Sequence, residues 1–327
     1  IVYTRHEVVY QDIIKGELAK PLDSMKDFVI VRSDGHPVFH LGNVCDDAQQ
    51  QVTHIIRGND HVENTYRHLF LFDALGQTPP QFAHLPMIVN KQGKPYSKRD
   101  GDAFVGDFRA KGFQAEALFN YLTLLGWSPG DGREKMSREE LVAAFTLERV
   151  QSSDAQMDPK KLEHLNGQYL AELSLDVFTA AVKEVLGQQE WFAGVPEEQL
   201  EKVAALMQSR TKLFTDAAGW QYLFSRDYPF DEKQIRKALQ KPGRKEELSR
   251  VAVELDALDD YNAETIEAAI HRATDALDIK QGKLNLPLRV AVTGTNIGAG
   301  LYEIFDLLGK DEVRARLAGV VATHCTD

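Results

Sequence analysis

Two rhythms of apolar residues divide this chain. Up to about Gly58 the apolar positions fall in short runs rich in β-branched and aromatic residues: IVYTRHEVVY at the start, FVIVRS from Phe28, HPVFHL from His36 and VTHIIRG from Val52. Such runs predict strands, and Asp34-Gly35 between the second and third predicts a hairpin turn. Asp60 then stands where an N-cap belongs, ahead of HVENTYRHLFLFDALG. There Leu69, Phe72 and Leu75 recur at helical spacing and Gly76 suits the C-terminal cap. A further strand, QFAHLPMIVN from Gln81, follows. Strand, helix and strand of this length form a βαβ unit, and a parallel sheet of that kind places ligand-binding loops at the C-terminal ends of its strands. The loop after the last strand is KQGKPYSKRDGD, Lys91 to Asp102.

Beyond Asp107 the β pattern almost vanishes. QAEALFNYLTLLGW, SREELVAAF, PKKLEHLNGQYLAEL, LDVFTAAVKEVL, PEEQLEKVAALMQSR and AETIEAAIHRATDAL all carry helical apolar spacing. Ser137 and Glu140 are placed for a capping box, Asp158-Pro159 for an N-cap with proline at the first helical position, and Pro196 opens another helix. The predicted fold class is therefore α/β followed by all-α. Gly and Pro concentrate in GWSPGDGR, which puts the boundary between Leu125 and Arg133 and the domains at 1–130 and 131–327. At about 150 residues per domain, 327 residues agree with two.

Composition narrows the classes. With 43% hydrophobic and 27% charged residues the chain is an ordinary soluble protein, neither disordered nor fibrous. No window approaches eighteen consecutive apolar residues and no secretory signal opens the chain, so no membrane partner and a cytoplasmic location are expected. Cys45 and Cys325 lie far apart without CxxC spacing, which argues for two reduced thiols. A net charge of −11 argues against diffuse nucleic-acid binding, so any such partner must meet local basic patches. The chain has no initiator Met and opens on a strand-like run, and it reads as cut from something longer.

Chemistry concentrates in three places. The loop Lys91 to Asp102 gathers Lys91, Lys94, Lys98 and Arg99 with Gly93, Gly101 and Ser97, a composition that brings cations and backbone N–H groups to phosphates. Arg57, at the end of an apolar strand, can grip a carboxylate in bidentate fashion, and Asn43 is a second polar group read at a strand end. The third is the helical region, with ALMQSRTKL (Ala205 to Leu213), EHLNGQYL (Glu163 to Leu170) and the stretch Leu286 to Leu317. The basic run Arg236 to Lys245 is read as a solvated face. The series His36, His40, His54, His61 and His68 lacks metal-ligand spacing, His36 and His40 are expected on one strand face, and no metal site is expected.

KPYSKRDG after HLPMIVN resembles the KMSKS-type signature of class I aminoacyl-tRNA synthetases, in the form found in bacterial-type glutamyl-tRNA synthetases. SDGHPVFHLGNVCDD and VTHIIRGNDH are similar to that family's SDGxPxYHLANVVDD and VIRGxDH segments. The helical stretches resemble its anticodon-binding region nearly end to end. The resemblance implies the second half of a Rossmann-like catalytic domain joined to a helical stem-contact and anticodon-binding region. It implies ATP with Mg²⁺, L-glutamate and glutamate tRNA as ligands of a monomeric ligase working through a glutamyl-adenylate. It places Ser97, Lys98 and Arg99, with Lys94, on the loop that closes over ATP; Phe39, Asn43 and Arg57 around glutamate; Asp60 and His61 near ATP and the tRNA acceptor end; and Arg210 at the third anticodon base. Two positions depart from the pattern. Phe39 stands where the family has Tyr, and Pro95 stands where it has a second Lys, with Lys94 one place earlier. The family's other ATP signature, of HxGH type, is not found, so the resemblance also implies that this polypeptide alone lacks appreciable aminoacylation activity. The alternatives are a tRNA-binding module without catalysis, and a paralogue that transfers glutamate to another acceptor.

Overall fold

The computed structural model describes residues 6–97 and 104–325. Strands β1 (Glu7–Asp12) and β2 (Gly16–Pro21) form an antiparallel hairpin. Helix α1 (Phe39–Gln49), strand β3 (His54–Gly58), helix α2 (Val62–Ala74) and strand β4 (Gln81–Leu85) follow, then β5 (Ile88–Val89). The four-stranded sheet runs β2-β1-β4-β3, with β4 parallel to both β1 and β3. The predicted βαβ unit is β3–α2–β4, with Arg57 the register partner of His84.

Local chemistry explains the joints. α2 stops at Gly76, whose φ of +66° only glycine adopts cheaply. The Gly76 amide donates to Asp73 O and the Gln77 amide to Phe72 O, a Schellman cap. The turn at Asp34-Gly35 also forms, with Gly35 at φ +86°.

Neither of the predicted strands FVIVRS and HPVFHL forms. Only an isolated bridge, Val31 to Pro37, joins the arms of the turn, and α1 begins at Phe39. Leu41, Val44 and Ala48 lie on one helical face and pack into the core with Tyr10, Tyr66 and Phe72. Burial of that face outweighs the local β preference of Val38 and Phe39. Phe39, His40 and Asn43 therefore lie on a helix, and His36 and His40 share no strand face. Nor does Asp60 cap α2: it lies in the 3₁₀ turn Asn59–His61, and His61 occupies the N-cap position without a side-chain cap.

The rest is helical: α3 (Val105–Ala110), α4 (Ala115–Leu124), α5 (Arg138–Ala144), a short strand β6 (Ala155–Gln156), α6 (Pro159–Glu172), α7 (Leu175–Leu186) and α8 (Glu197–Met207). The single turn α9 (Glu232–Gln234) passes into a π-helical turn, Ile235–Leu239. Then come α10 (Arg244–Asp256), α11 (Ala263–Ala276), α12 (Asn285–Thr293), α13 (Leu301–Leu308) and α14 (Lys310–Thr323). The capping box of Ser137 and Glu140 is present, and Asp158 Oδ1 accepts from the Lys160 amide at 3.0 Å, as an N-cap does.

Two compact units divide the chain. One comprises 1–108 and 115–162; the other comprises 109–114 and 163–327. The glycine-rich stretch 126–133 lies inside the first. In that unit one core gathers Tyr10, Val44, Tyr66, Leu71, Phe72 and Phe82, and another gathers Trp127, Met136 and Leu141. The second unit has a large helical core that includes Phe178, Trp220, Leu248, Ile270 and Phe305. No helix among the described residues is long and apolar enough to cross a membrane.

Candidate functional site

The site grows from the C-terminal ends of β1, β3 and β4, where the parallel strands bring Asp12, Arg57 and His84 together. Arg57 donates Nε–H to His84 Nε2 at 3.2 Å, and its Nη2 donates to Thr65 Oγ1 at 2.6 Å and to the His61 carbonyl at 3.2 Å. The guanidinium also lies 5.6 Å from the centre of the Phe82 ring. His84 is fully buried, and its Nδ1 meets Asp12 Oδ2 at 2.6 Å. Asp12 Oδ1 accepts from the amides of Ile14, Lys15 and His84.

The charge states follow from these contacts. Burial pushes the Asp12 carboxyl upward, but the hydrogen bonds from His84 and from the Lys15, Ile14 and His84 amides outweigh it and hold the pKa below its ordinary value. Burial lowers the His84 imidazole against the pull of Asp12. The pair is an ionised carboxylate beside a neutral imidazole, protonated on Nδ1, with its Nε2 lone pair turned to Arg57. Burial also draws the Arg57 guanidinium below its usual pKa, opposed by Tyr10, Asp47, Asp60 and Asp12. Arg57 stays charged, because an arginine starts so far above neutrality.

Around it stand the other predicted residues. Asn43 donates from Nδ2 to Asp47 Oδ2, one turn along α1. Burial raises the Asp47 carboxyl, countered by Asn43 and by the field of Arg57. Phe39 is 54% exposed, its ring 5.8 Å from that of His68 and 6.1 Å from that of His61. Asp60 is exposed, with Oδ2 3.7 Å from His61 Nε2, while Asn64 Nδ2 donates to His61 Nδ1. A Cβ on Gly58 would come within 2.5 Å of Asp60 Oδ1, so glycine at this position lets Asp60 fold back over the strand end.

The basic loop starts as a tight hairpin. The Asn90 amide donates to the Lys94 carbonyl, Asn90 Oδ1 accepts from the Gln92 and Lys94 amides, and the Tyr96 amide donates to the Ile88 carbonyl. Pro95 forms an isolated bridge with Val89, a place where its missing N–H costs little. Lys91, Lys94 and Ser97 are exposed. Lys98 and Arg99 lie outside the described residues. Among the described residues no three His, Cys, Asp or Glu side chains could hold a metal ion together.

In the second unit Arg210 ends the 3₁₀ turn Gln208–Arg210 that follows α8, so it is not on the helix itself. Its Nη2 donates to Glu303 Oε2 at 2.8 Å and its Nη1 to the Leu206 carbonyl at 3.0 Å. Arg236 to Lys245 spans the π-helical turn and the start of α10, with Arg244 buried against Glu247. Ala238 and Leu239 are buried in the helical core, and the remaining residues of that run are exposed.

Residues 1–164 match the family model of the class I tRNA synthetase (E and Q) catalytic domain. The chain belongs to this synthetase family. Residues 151–321 of this synthetase chain match the anticodon binding domain. A glutamate–tRNA ligase of Thermobifida fusca is 41% identical over 315 residues, covering 94% of this chain and 66% of that protein. One from Methylacidiphilum infernorum is 35% identical over 323 residues, covering 97% and 72%. A crystal structure of the glutamate tRNA ligase of Elizabethkingia meningosepticum in complex with its amino acid superposes with a TM-score of 0.79 at 30% identity, covering 97% of this chain and 66% of that one. The synthetase chain thus spans about two thirds of the length of several relatives it matches. The expected fold class agrees with both family models and with the superposition.

The sequence patterns did not single out Asp12, Thr65 or His84. A signal existed for two of them: His84 interrupts the apolar run QFAHLPM, and Asp12 ends an apolar strand.

Proposed function

We propose that this chain is the ATP- and tRNA-binding part of a glutamate–tRNA ligase. A glutamate carboxylate oxygen attacks the α-phosphorus of Mg²⁺-bound ATP, pyrophosphate leaves, and the terminal ribose hydroxyl of glutamate tRNA then displaces AMP from the glutamyl-adenylate. The observation that carries this function is Arg57: a guanidinium fixed on one side by His84, Thr65 and the His61 carbonyl, at the C-terminal ends of the parallel strands β1, β4 and β3. A cation held this way pays no reorganisation cost when a carboxylate arrives. Asn43 and the Phe39 ring border the glutamate site. Asp60 and His61 face ATP and the acceptor end. Lys94, Ser97, Lys98 and Arg99 meet the phosphates, with Mg²⁺ carried in by ATP, and Arg210 reads the anticodon. The ligase works in the cytoplasm as a monomer.

Arg57→Ala tests the assignment. It should weaken glutamate binding, read by calorimetry, by at least about thirtyfold. That is the lower end of the roughly 2–5 kcal/mol lost when one partner of a desolvated charge pair is truncated. Unchanged glutamate affinity would remove Arg57 from the site.

The match of 151–321 to an anticodon binding domain favours a second function, tRNA binding without chemistry. Salt-sensitive retention of glutamate tRNA on filters, with no pyrophosphate exchange by this polypeptide, would support it.

A further inference from the structure

We infer that Asp12 and His84 form a buried positioning pair that sets the donor geometry of Arg57, so that the guanidinium presents its Nη1 edge to a substrate carboxylate. The inference rests on the role of Arg57 proposed above.

Three observations carry it. First, the pair is sealed. Asp12 is 1% exposed and His84 fully buried, and every contact from Asp12 fixes the acceptor state of its carboxylate. A buried carboxylate is costly unless it is paired and hydrogen-bonded, and Asp12 meets that condition through His84 Nδ1 at 2.6 Å and three main-chain amides, which leaves it one fixed orientation.

Second, the contact decides a tautomer. With the carboxylate accepting from Nδ1–H, His84 Nε2 must be an acceptor, the only form compatible with the Nε–H of Arg57. Thr65 Oγ1, 3.1 Å from the same Nε2, accepts in turn from Arg57 Nη2. Donation runs in one direction, from the Arg57 guanidinium through the His84 imidazole to the Asp12 carboxylate.

Third, the chain engages Nε and Nη2 and leaves Nη1 without a hydrogen-bond partner among the described residues. The three side chains come from three different strands, with Arg57 and His84 in register across β3 and β4. A one-residue slip of either strand would turn one of them to the opposite face.

Asp12→Asn separates this role from a purely structural one. It keeps the shape, but an amide N–H facing Nδ1 favours the Nε2–H tautomer, which sets a donor against the Nε–H of Arg57. In the whole chain, ¹⁵N NMR should show His84 protonated on Nδ1 in the unaltered protein and on Nε2 in Asp12→Asn. The Arg57 Nε–H should exchange with water at least about tenfold faster in Asp12→Asn. His84→Gln, whose side-chain carbonyl can accept from Arg57, should retain most of the protection, whereas His84→Ala should lose it. Circular dichroism of each variant reports whether the fold is kept. The inference is overturned if Arg57 Nε–H protection is unchanged in Asp12→Asn, or if His84→Gln behaves as His84→Ala does. L-Glutamate titrated into the same proteins separates the two levels. If the tautomer and exchange results hold while neither Asp12→Asn nor Arg57→Ala changes glutamate affinity, the positioning pair stands and the assignment of Arg57 to the substrate falls. If Arg57→Ala weakens glutamate binding and Asp12→Asn leaves it intact, the pair is not a positioning device.

Discussion

His68 shows how one side chain can carry a pH dependence for the unit that surrounds it. It lies on α2, fully buried, with Nε2 3.2 Å from His40 Nδ1. Burial, and then the charge of Arg57 followed by those of His40, His61 and Arg67, lowers its pKa from 6.5 to about 3. In the unfolded chain the same imidazole takes up a proton near pH 6.5. Between those two values the unfolded state binds more protons, so the contribution of His68 is fully present above pH 6.5 and is lost as pH falls towards 3. Its slope approaches about 1.4 kcal/mol per pH unit. Urea denaturation at pH 7 and pH 5 should show this loss, and His68→Phe should flatten it. Burial also lowers the pKa values of His40 and His84, so part of the slope should remain. Equal pH slopes for His68→Phe and the unaltered chain would contradict the assignment.

Among elements, the joints depend on glycines for different reasons. Gly112 has φ +84°, and a Cβ there would lie 2.7 Å from the Thr215 amide nitrogen and 2.9 Å from that of Phe214, both main-chain atoms that cannot move aside. Its carbonyl also accepts from the Phe214 amide. Gly132 has φ +79° but open space around the same position. Gly132→Ala should therefore cost only the left-handed backbone penalty, about 1–2 kcal/mol. Gly112→Ala adds a backbone collision to that penalty and should cost more. The order of the two melting temperatures checks the argument. If Gly112→Ala is no less stable than Gly132→Ala, the close approach is not what requires glycine. The same balance of local and tertiary preference explains α1: the residues read as a strand have β-branched and aromatic character, yet Leu41, Val44 and Ala48 bury one helical face.

For the whole molecule, a net charge of −11 confines any RNA contact to local cationic positions, and Arg210 is the one singled out from the sequence. It is held by Glu303, whose Oε2 also accepts from the Gly300 amide. Both partners are partly exposed, so the ion pair contributes little stability and can exchange for a base edge. Arg210→Gln should leave the melting temperature within a few degrees of the original. It should cost about 1–3 kcal/mol in binding of glutamate tRNA and narrow the preference over glutamine tRNA, read by filter binding of both. An unchanged preference would remove Arg210 from anticodon recognition.

Residues close in sequence were enough to define a great deal. The change from β to helical periodicity, the βαβ unit, the caps at Ser137 and Asp158, and the synthetase signatures are all local patterns, because helices, caps and turns are decided by neighbours within a few positions. Arg57, Asp60 and His61 could be named as candidates for the same reason, lying within five residues of one another. Only the tertiary structure joined Asp12 to His84, 72 residues apart, and turned that pair towards Arg57. Only packing decided that Phe39 and Asn43 belong to a helix, and only the fold paired Arg210 with Glu303, 93 residues away. Burial, tautomer and pKa arise where distant strands and helices exclude water together, and no run of residues carries that exclusion by itself.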